Sequence, residues 1–293
     1  MYLDGFMEYL RSEKRRSANT IEAYKRDYLS FTDYANKKGI EDIKDVSGAD
    51  VLSYLYELKD EGKSAATVNR KLAALRCFFG YLKGLGKIDH DPTDGIKSPR
   101  VSRKKIEYLS IDEVDKLLST PDDSVKGKRD RAILELMYAT GIRVNELVAT
   151  DIDDLNLRIG FYTCNGEAGK ARIIPIGRPA RKALEDYLDN SRKMLLRENV
   201  DEKALFVNYY GRRLTRQGLW KILKSYGEKA GLEHELTPHT LRNSFAVHML
   251  QNGADLKSLQ ELMGHEDPAA TQVYLSVIKS RIKDVYDMAH PRA

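Results

Sequence analysis

Three features of the 293-residue sequence predict a mainly α fold with a small β-sheet or hairpin (α+β), divided into two domains. Apolar residues recur at spacings of three and four along most of the chain, the period of an amphipathic helix. Strand-like patterning is convincing at one place, where Phe161-Tyr-Thr-Cys and Arg172-Ile-Ile-Pro-Ile flank the turn Asn165-Gly-Glu-Ala-Gly-Lys170. A Pro-, Gly- and base-rich stretch from Asp91 to Lys105 breaks the helical pattern, and a length near 150 per domain makes two domains the default. The expected organisation is a helical domain over 1–90, a basic linker over 91–108 and a second domain over 109–293.

In the first domain, Asn19 is the candidate N-cap of a helix, three residues before Glu22, with Ile21, Tyr24, Tyr28, Phe31 and Tyr34 forming its buried stripe. Aromatics at this spacing read as core rather than as base-stacking groups. A second long helix runs from about Ala66 to Leu82, with Val68, Leu72, Leu75, Phe79 and Leu82 inside and Asn69, Arg70, Lys71 and Arg76 among its polar positions. In the second domain, Ser110-Ile-Asp-Glu113 has capping-box spacing. A helix over 129–139 ends at Gly141, and another begins near Arg143. Helices resume after the hairpin, around Ala183–Leu188 and from Thr215 to Glu228, and Thr237-Pro238 and Asp267-Pro268 are N-cap plus N1 pairs that start two more.

Hydrophobic residues at 42%, charged residues at 32%, Gly 20 and Pro 8 are ordinary globular values and exclude a disordered or collagen-like chain. The sequence has no apolar run of the ~20 residues a membrane span needs, and its start carries charges where a signal peptide is apolar. A cytoplasmic protein with no membrane partner is expected. Cys77 and Cys164 cannot build a disulfide framework or a zinc site and read as small core hydrophobes. The net charge of +5 is mild, but residues 1–105 hold 21 Lys/Arg against 16 Asp/Glu, so the whole excess lies in the first third.

Five residues stand out by order and setting: Arg143 after a helix-ending glycine, His239 and Arg242 as His-x-x-Arg in a first helical turn, His265 in a Gly-His-Glu turn, and Tyr274 on the next helix. Singly, each has an ordinary reading as surface charge, satisfied polar residue or core tyrosine. Together they have a pattern. The strings ATGIRVNEL, TPHTLRNSFAVHML, LMGHEDPAATQVYL and AHPRA closely resemble the tyrosine recombinase (phage integrase) family, most closely its Xer-type members, and SANTIEAYKRDYLSF is similar to that family's N-terminal core-binding domain.

The chemistry explains the residue types. A phosphodiester gains negative charge in its five-coordinate transition state, and Arg143 and Arg242 can bind its non-bridging oxygens bidentately while staying charged. No carboxylate cluster with metal-ligand character accompanies them, so neither a metal nor another cofactor is expected. A phenol titrates near ~10, so Tyr274 needs a proton acceptor and a positive site to attack phosphorus; His239 is the candidate base. The resemblance implies that His265 hydrogen-bonds a phosphate oxygen, and that the product is a 3′-phosphotyrosyl bond with a free 5′-hydroxyl. One diester replaces another, so religation needs no ATP.

One departure stands in the hairpin turn. The family usually presents a catalytic lysine there, in Gly-Lys-Gly-x-Lys-x-Arg, which protonates the leaving 5′-oxygen; here Glu167 takes that place and Lys170 matches the second lysine. Either Lys170 reaches in, another group is the acid, or cleavage is impaired. Lys170 is the preferred candidate.

The resemblance further implies a two-domain C-shaped clamp on duplex DNA, a SAM-like helical domain on one face and the catalytic domain on the other. Arg70, Lys71, Arg76 and Lys104 are candidate phosphate contacts. The tail after Tyr274 has helical spacing in Ile278, Ile282 and Val285. It reads as an intramolecular lid or, by resemblance, as a helix exchanged between protomers of a DNA-bound homo- or hetero-tetramer, with a paralogous recombinase as a candidate partner. The expected function is site-specific recombination through a Holliday junction, for chromosome or plasmid dimer resolution. The alternatives are integration of a mobile element and a cleavage-impaired architectural partner of another recombinase.

Overall fold

The computed structural model describes residues 2–100, 105–166, 170–196, 202–264 and 270–275. Its contacts divide the chain into two compact units between Lys104 and Lys105. Among the described residues, no helix is long and apolar enough to cross a membrane.

The N-terminal unit is built from α1 (Leu3–Ser12), α2 (Ala18–Lys37), α3 (Gly48–Asp60) and α4 (Ala65–Gly84), with a short 3-10 turn at Ile43–Asp45. Helix α2 starts two residues earlier than its sequence suggests: Ser17, with extended backbone, caps it by accepting from the Thr20 amide, and the expected cap Asn19 lies inside the first turn. Tyr28, Phe31 and Tyr34 are buried as their spacing requires, and they meet Phe78, Phe79 and Tyr54 edge-on or tilted at 4.6–6.1 Å between ring centres. The aromatics of α2 are therefore spent on the core. Cys77 is half-buried and Cys164, in the second unit, is buried.

The second unit contains the three-stranded antiparallel sheet β1 (Leu155–Asn156), β2 (Phe161–Asn165) and β3 (Ala171–Pro175). The expected hairpin is β2–β3, with Cys164 opposite Arg172; the two-residue β1 has too little pattern of its own to be legible in sequence. Its helices are α5 (Ile111–Ser119), α6 (Val125–Thr140), α7 (Val144–Ala149), α8 (Arg178–Tyr187), α9 (Lys193–Leu196), α10 (Arg216–Lys229), α11 (Pro238–Gln251) and α12 (Leu256–Met263), with a π turn at Leu188–Arg192; α6 packs on α5, α8 and α11, and α12 lies against β3. Residues 270–275 are helical, and the Asp267-Pro268 start lies outside the described residues.

Local chemistry sets the ends of the elements that matter. Ser110 and Glu113 cap α5 reciprocally, as predicted. Helix α6 stops where Gly141 enters the left-handed region at φ 57°; a Cβ there would sit 2.4 Å from the Phe245 ring, so both backbone and space demand glycine. Thr237 caps α11 and Pro238 opens it, placing His239 in the first turn and Arg242 one turn further on. Nearly every residue of α11 from Thr240 to His248 is buried, so this helix is the axis on which the site is mounted.

Candidate active site

Arg143, His239, Arg242 and Tyr274 converge on one cleft of about 680 Å³, which is also lined by Asn145, Arg216, Gln217 and Trp220. The described lining holds three arginines and no carboxylate, a field that favours an anion. His239 is exposed at the mouth, whereas Arg242 is 6% exposed and Tyr274 5%.

The arginines are held by the carboxyl end of α12. The last carbonyls of a helix have no partner within it and carry the negative end of its dipole. Here the Leu262 carbonyl accepts from Arg172 Nε at 2.7 Å, Met263 from Arg242 Nη2 at 2.7 Å and Gly264 from Arg143 Nη2 at 2.7 Å. Gly264 is left-handed at φ 63°, and a Cβ on it would lie 2.8 Å from the Arg172 guanidinium. Arg242 Nη1 also donates to the Gly141 carbonyl at the end of α6. Three guanidinium groups far apart in sequence are thus registered against one helix terminus.

Glu146 offsets one of the three charges. It lies one turn into α7, buried, and accepts from both terminal nitrogens of Arg172 at 2.8 Å, from Arg143 Nη1 at 3.0 Å and from the Arg143 amide at 2.9 Å. Burial alone raises its carboxyl, but the hydrogen bonds from Arg172 and Arg143 outweigh it and the midpoint falls to about 2. Arg242 moves the other way: burial, reinforced by the nearby Arg143 charge, lowers it to about 10, and it remains cationic at neutral pH. Burial raises the Tyr274 phenol, with the Arg242 charge opposing. Tyr274 Oη donates to Asn243 Oδ1 at 2.9 Å.

Lys170 does not line the cleft; it closes the hairpin by accepting the Gly166 amide on its carbonyl at 3.0 Å. It immediately precedes β3, two residues before Arg172. Glu167, His265, Lys104 and the tail after residue 275 lie outside the described residues.

In the N-terminal unit, the reading of Lys71 as an exposed phosphate contact is corrected. Its side chain is turned into the helical core, where Nζ reaches Ser30 Oγ at 2.9 Å, Tyr54 Oη at 3.1 Å and the buried carboxylate of Asp27 at 3.6 Å. A buried acid on α2 needs this base inside. Arg70 pairs with the same Asp27 but is 45% exposed, and Arg76 binds Ser98 Oγ at 3.1 Å and the Ile96 carbonyl while staying at the surface.

Sequence reasoning missed Glu146, Arg172, Arg216, Trp220 and Asn243. Three had a local signal. Glu146 stands three residues after Arg143 in a capping position, and Arg216 and Trp220 are spaced to share one face of α10. Arg172 and Asn243 become meaningful only through tertiary neighbours.

Comparison with known proteins follows the same lines. Residues 107–281 match the model of the phage integrase family, and residues 3–85 match the phage integrase N-terminal SAM-like domain. The chain is 46% identical over 293 residues to "Tyrosine recombinase XerD" of Listeria monocytogenes serotype 4b, covering 99% of each. It is 45% identical to the protein of that name from Oceanobacillus iheyensis, covering 99% of this chain and 98% of the relative. Among solved structures, the XerA recombinase is similar at 28% identity and TM-score 0.54, covering 100% of this chain and 99% of the other. A XerH recombinase bound to a palindromic difH substrate superposes with TM-score 0.78 at 24% identity, covering 97% and 83%.

Proposed function

The chain belongs to the phage integrase family as a Xer-type tyrosine recombinase, and we propose that its cleft cleaves and rejoins one strand of a specific DNA site through Tyr274. The observation that carries this reading is the convergence of Arg143, His239, Arg242 and Tyr274 on a cleft whose described lining has no carboxylate.

In the proposed reaction, the scissile phosphate occupies the arginine cleft. Arg143 and Arg242 donate to its non-bridging oxygens, already aimed and partly desolvated by their carbonyl anchors, so little reorganisation is needed as charge builds. His239 takes the phenolic proton as Tyr274 Oη attacks phosphorus; the P–O5′ bond breaks, and Lys170 supplies the proton to the departing 5′-oxygen. The 5′-hydroxyl of a partner strand reverses the sequence, closes a new diester and frees Tyr274. His265 is assigned to a phosphate oxygen. The place of Lys170 at the end of the hairpin turn, two residues before Arg172, supports the lysine as acid.

Similar proteins have been solved bound to DNA, among them a lambda integrase tetramer on a Holliday junction. We assign this chain a duplex DNA partner and an assembly of several protomers, with the tail as exchanged helix and a paralogous recombinase as the candidate second subunit type. The surface bases Arg70 and Arg76, with Lys104, are proposed to contact phosphates of the N-terminal half-site. The cellular task we assign is resolution of chromosome or plasmid dimers, checked by multimer accumulation in cells lacking the gene.

The decisive experiment incubates the protein with nicked suicide duplexes carrying candidate sites. A covalent protein–DNA adduct on denaturing gels that disappears in Tyr274→Phe is expected. Its absence, alone and with a partner recombinase, leaves the architectural role suggested by Glu167.

A further inference from the structure

The hydrogen bond that holds Tyr274 has a defined direction. Asn243, one residue after Arg242 on α11, places its side-chain amide between two oxygens: Nδ2 donates to the Glu107 carbonyl at 2.9 Å, and Oδ1 lies 2.9 Å from Tyr274 Oη. A carbonyl can only accept, so Glu107 fixes which way the amide points. Its Oδ1 must then face the phenol, and Tyr274 must be the donor. The proton of Tyr274 is thereby committed to Asn243, while the ring is sunk among Phe245, Met263, Leu259 and the partly buried Ile106. A phenolate here would face the negative end of the amide dipole.

The segment carrying Glu107 is fastened to the same helix at two neighbouring points. The Leu109 amide donates to Ser244 Oγ at 2.8 Å, and the Tyr108 ring meets His248 edge-on at 6.3 Å between centres. The orientation of Asn243 therefore depends on the stretch of backbone that begins the second unit, three residues after the division between units.

We propose that Asn243 is a positioning residue that holds Tyr274 in a resting, protonated place, and that it takes its own orientation from the Glu107 carbonyl. Tyr274 breaks this bond before it attacks. The inference rests on the reading of Tyr274 as the nucleophile and adds what restrains it.

The test compares Asn243→Ala and Asn243→Asp in the full-length protein, after thermal melts show that each is folded. In DNA-free protein, the Tyr274 phenol is titrated by NMR of ¹³Cζ-labelled tyrosine, its resonance identified by its loss in Tyr274→Phe. Alanine removes the acceptor and admits water, so the midpoint falls; aspartate puts a negative charge beside the phenol, so it rises. Single-turnover cleavage of the nicked substrate moves in parallel. Its alkaline arm shifts to lower pH with a gain of ~5-fold in Asn243→Ala, the worth of one hydrogen bond, and to higher pH with a loss in Asn243→Asp. Midpoints that stay put or move in the same direction in both variants overturn the proposal, because a purely structural residue has no reason to move them oppositely. Persistence of the covalent adduct in Tyr274→Phe instead overturns the nucleophile assignment, and the titration still judges Asn243 on its own.

Discussion

Replacing Glu146 by glutamine should uncouple the arginine cluster, and the structure gives the size of the effect. The carboxylate is 4% exposed and receives two bonds from Arg172 and two from Arg143. A carboxyl whose midpoint falls from 4.5 to about 2 carries about 3 kcal/mol of stabilisation in its ionised form. Breaking a buried ion pair by removing one partner costs ~3–5 kcal/mol, so the two routes agree. Glutamine keeps one acceptor but points an N–H at a guanidinium N–H, and Arg172, 13% exposed, is left with an uncompensated charge. The sign with pH follows from the depressed midpoint: the stabilisation is complete above about pH 4.5 and is lost as pH falls towards 2. Urea unfolding followed by the fluorescence of Trp220, the single tryptophan, reads the second unit directly. Glu146→Gln should lose about 3 kcal/mol at pH 7 and only about 1 kcal/mol at pH 3. Strand cleavage should slow by ~10- to 100-fold as Arg143 loses its anchor. Equal stability of variant and wild type at pH 7, or a difference that does not shrink in acid, refutes the argument.

Arg242→Lys cannot reach both the Gly141 and Met263 carbonyls while binding phosphate, and single-turnover adduct formation should drop ~10²- to 10³-fold. Gly141→Ala forces a Cβ against the Phe245 ring at a left-handed position; chemical denaturation should register a loss of ~1–3 kcal/mol, and a wild-type midpoint would contradict the cap assignment. Lys170→Ala should slow cleavage of ordinary DNA but not of a substrate with a 5′-bridging sulfur, whose leaving group needs no proton; equal slowing of both substrates removes Lys170 from the acid role.

Much of the fold was legible because helices with a clear apolar stripe are local objects. Tyr28, Phe31 and Tyr34 follow one another at three- and four-residue intervals, and Ser110, Gly141, Thr215 and Thr237 each mark a helix end with the chemistry that end requires. The same locality accounts for the errors. Ser17 and Asn19 are both good caps, and choosing between them depends on which residue is extended; Lys71 looks solvent-facing until Asp27, forty-four positions earlier, is found buried beside it. Strand β1 exists because a twist of chain meets β2, and nothing within two residues announces that.

By itself, the sequence determined the residue types that phosphoryl transfer needs and their order along the chain: Arg143, His239, Arg242, His265 and Tyr274. Only the tertiary structure decided how they are held. The open carbonyls of α12 gather Arg143, Arg172 and Arg242, a buried Glu146 offsets one of their charges, and Asn243 retains the phenolic proton. The physical reason is range. Helix periodicity and capping act within a turn and are written in neighbouring letters. Charge compensation in a buried cluster and the direction of a hydrogen bond depend on groups that folding brings together from about 26 to 136 residues apart.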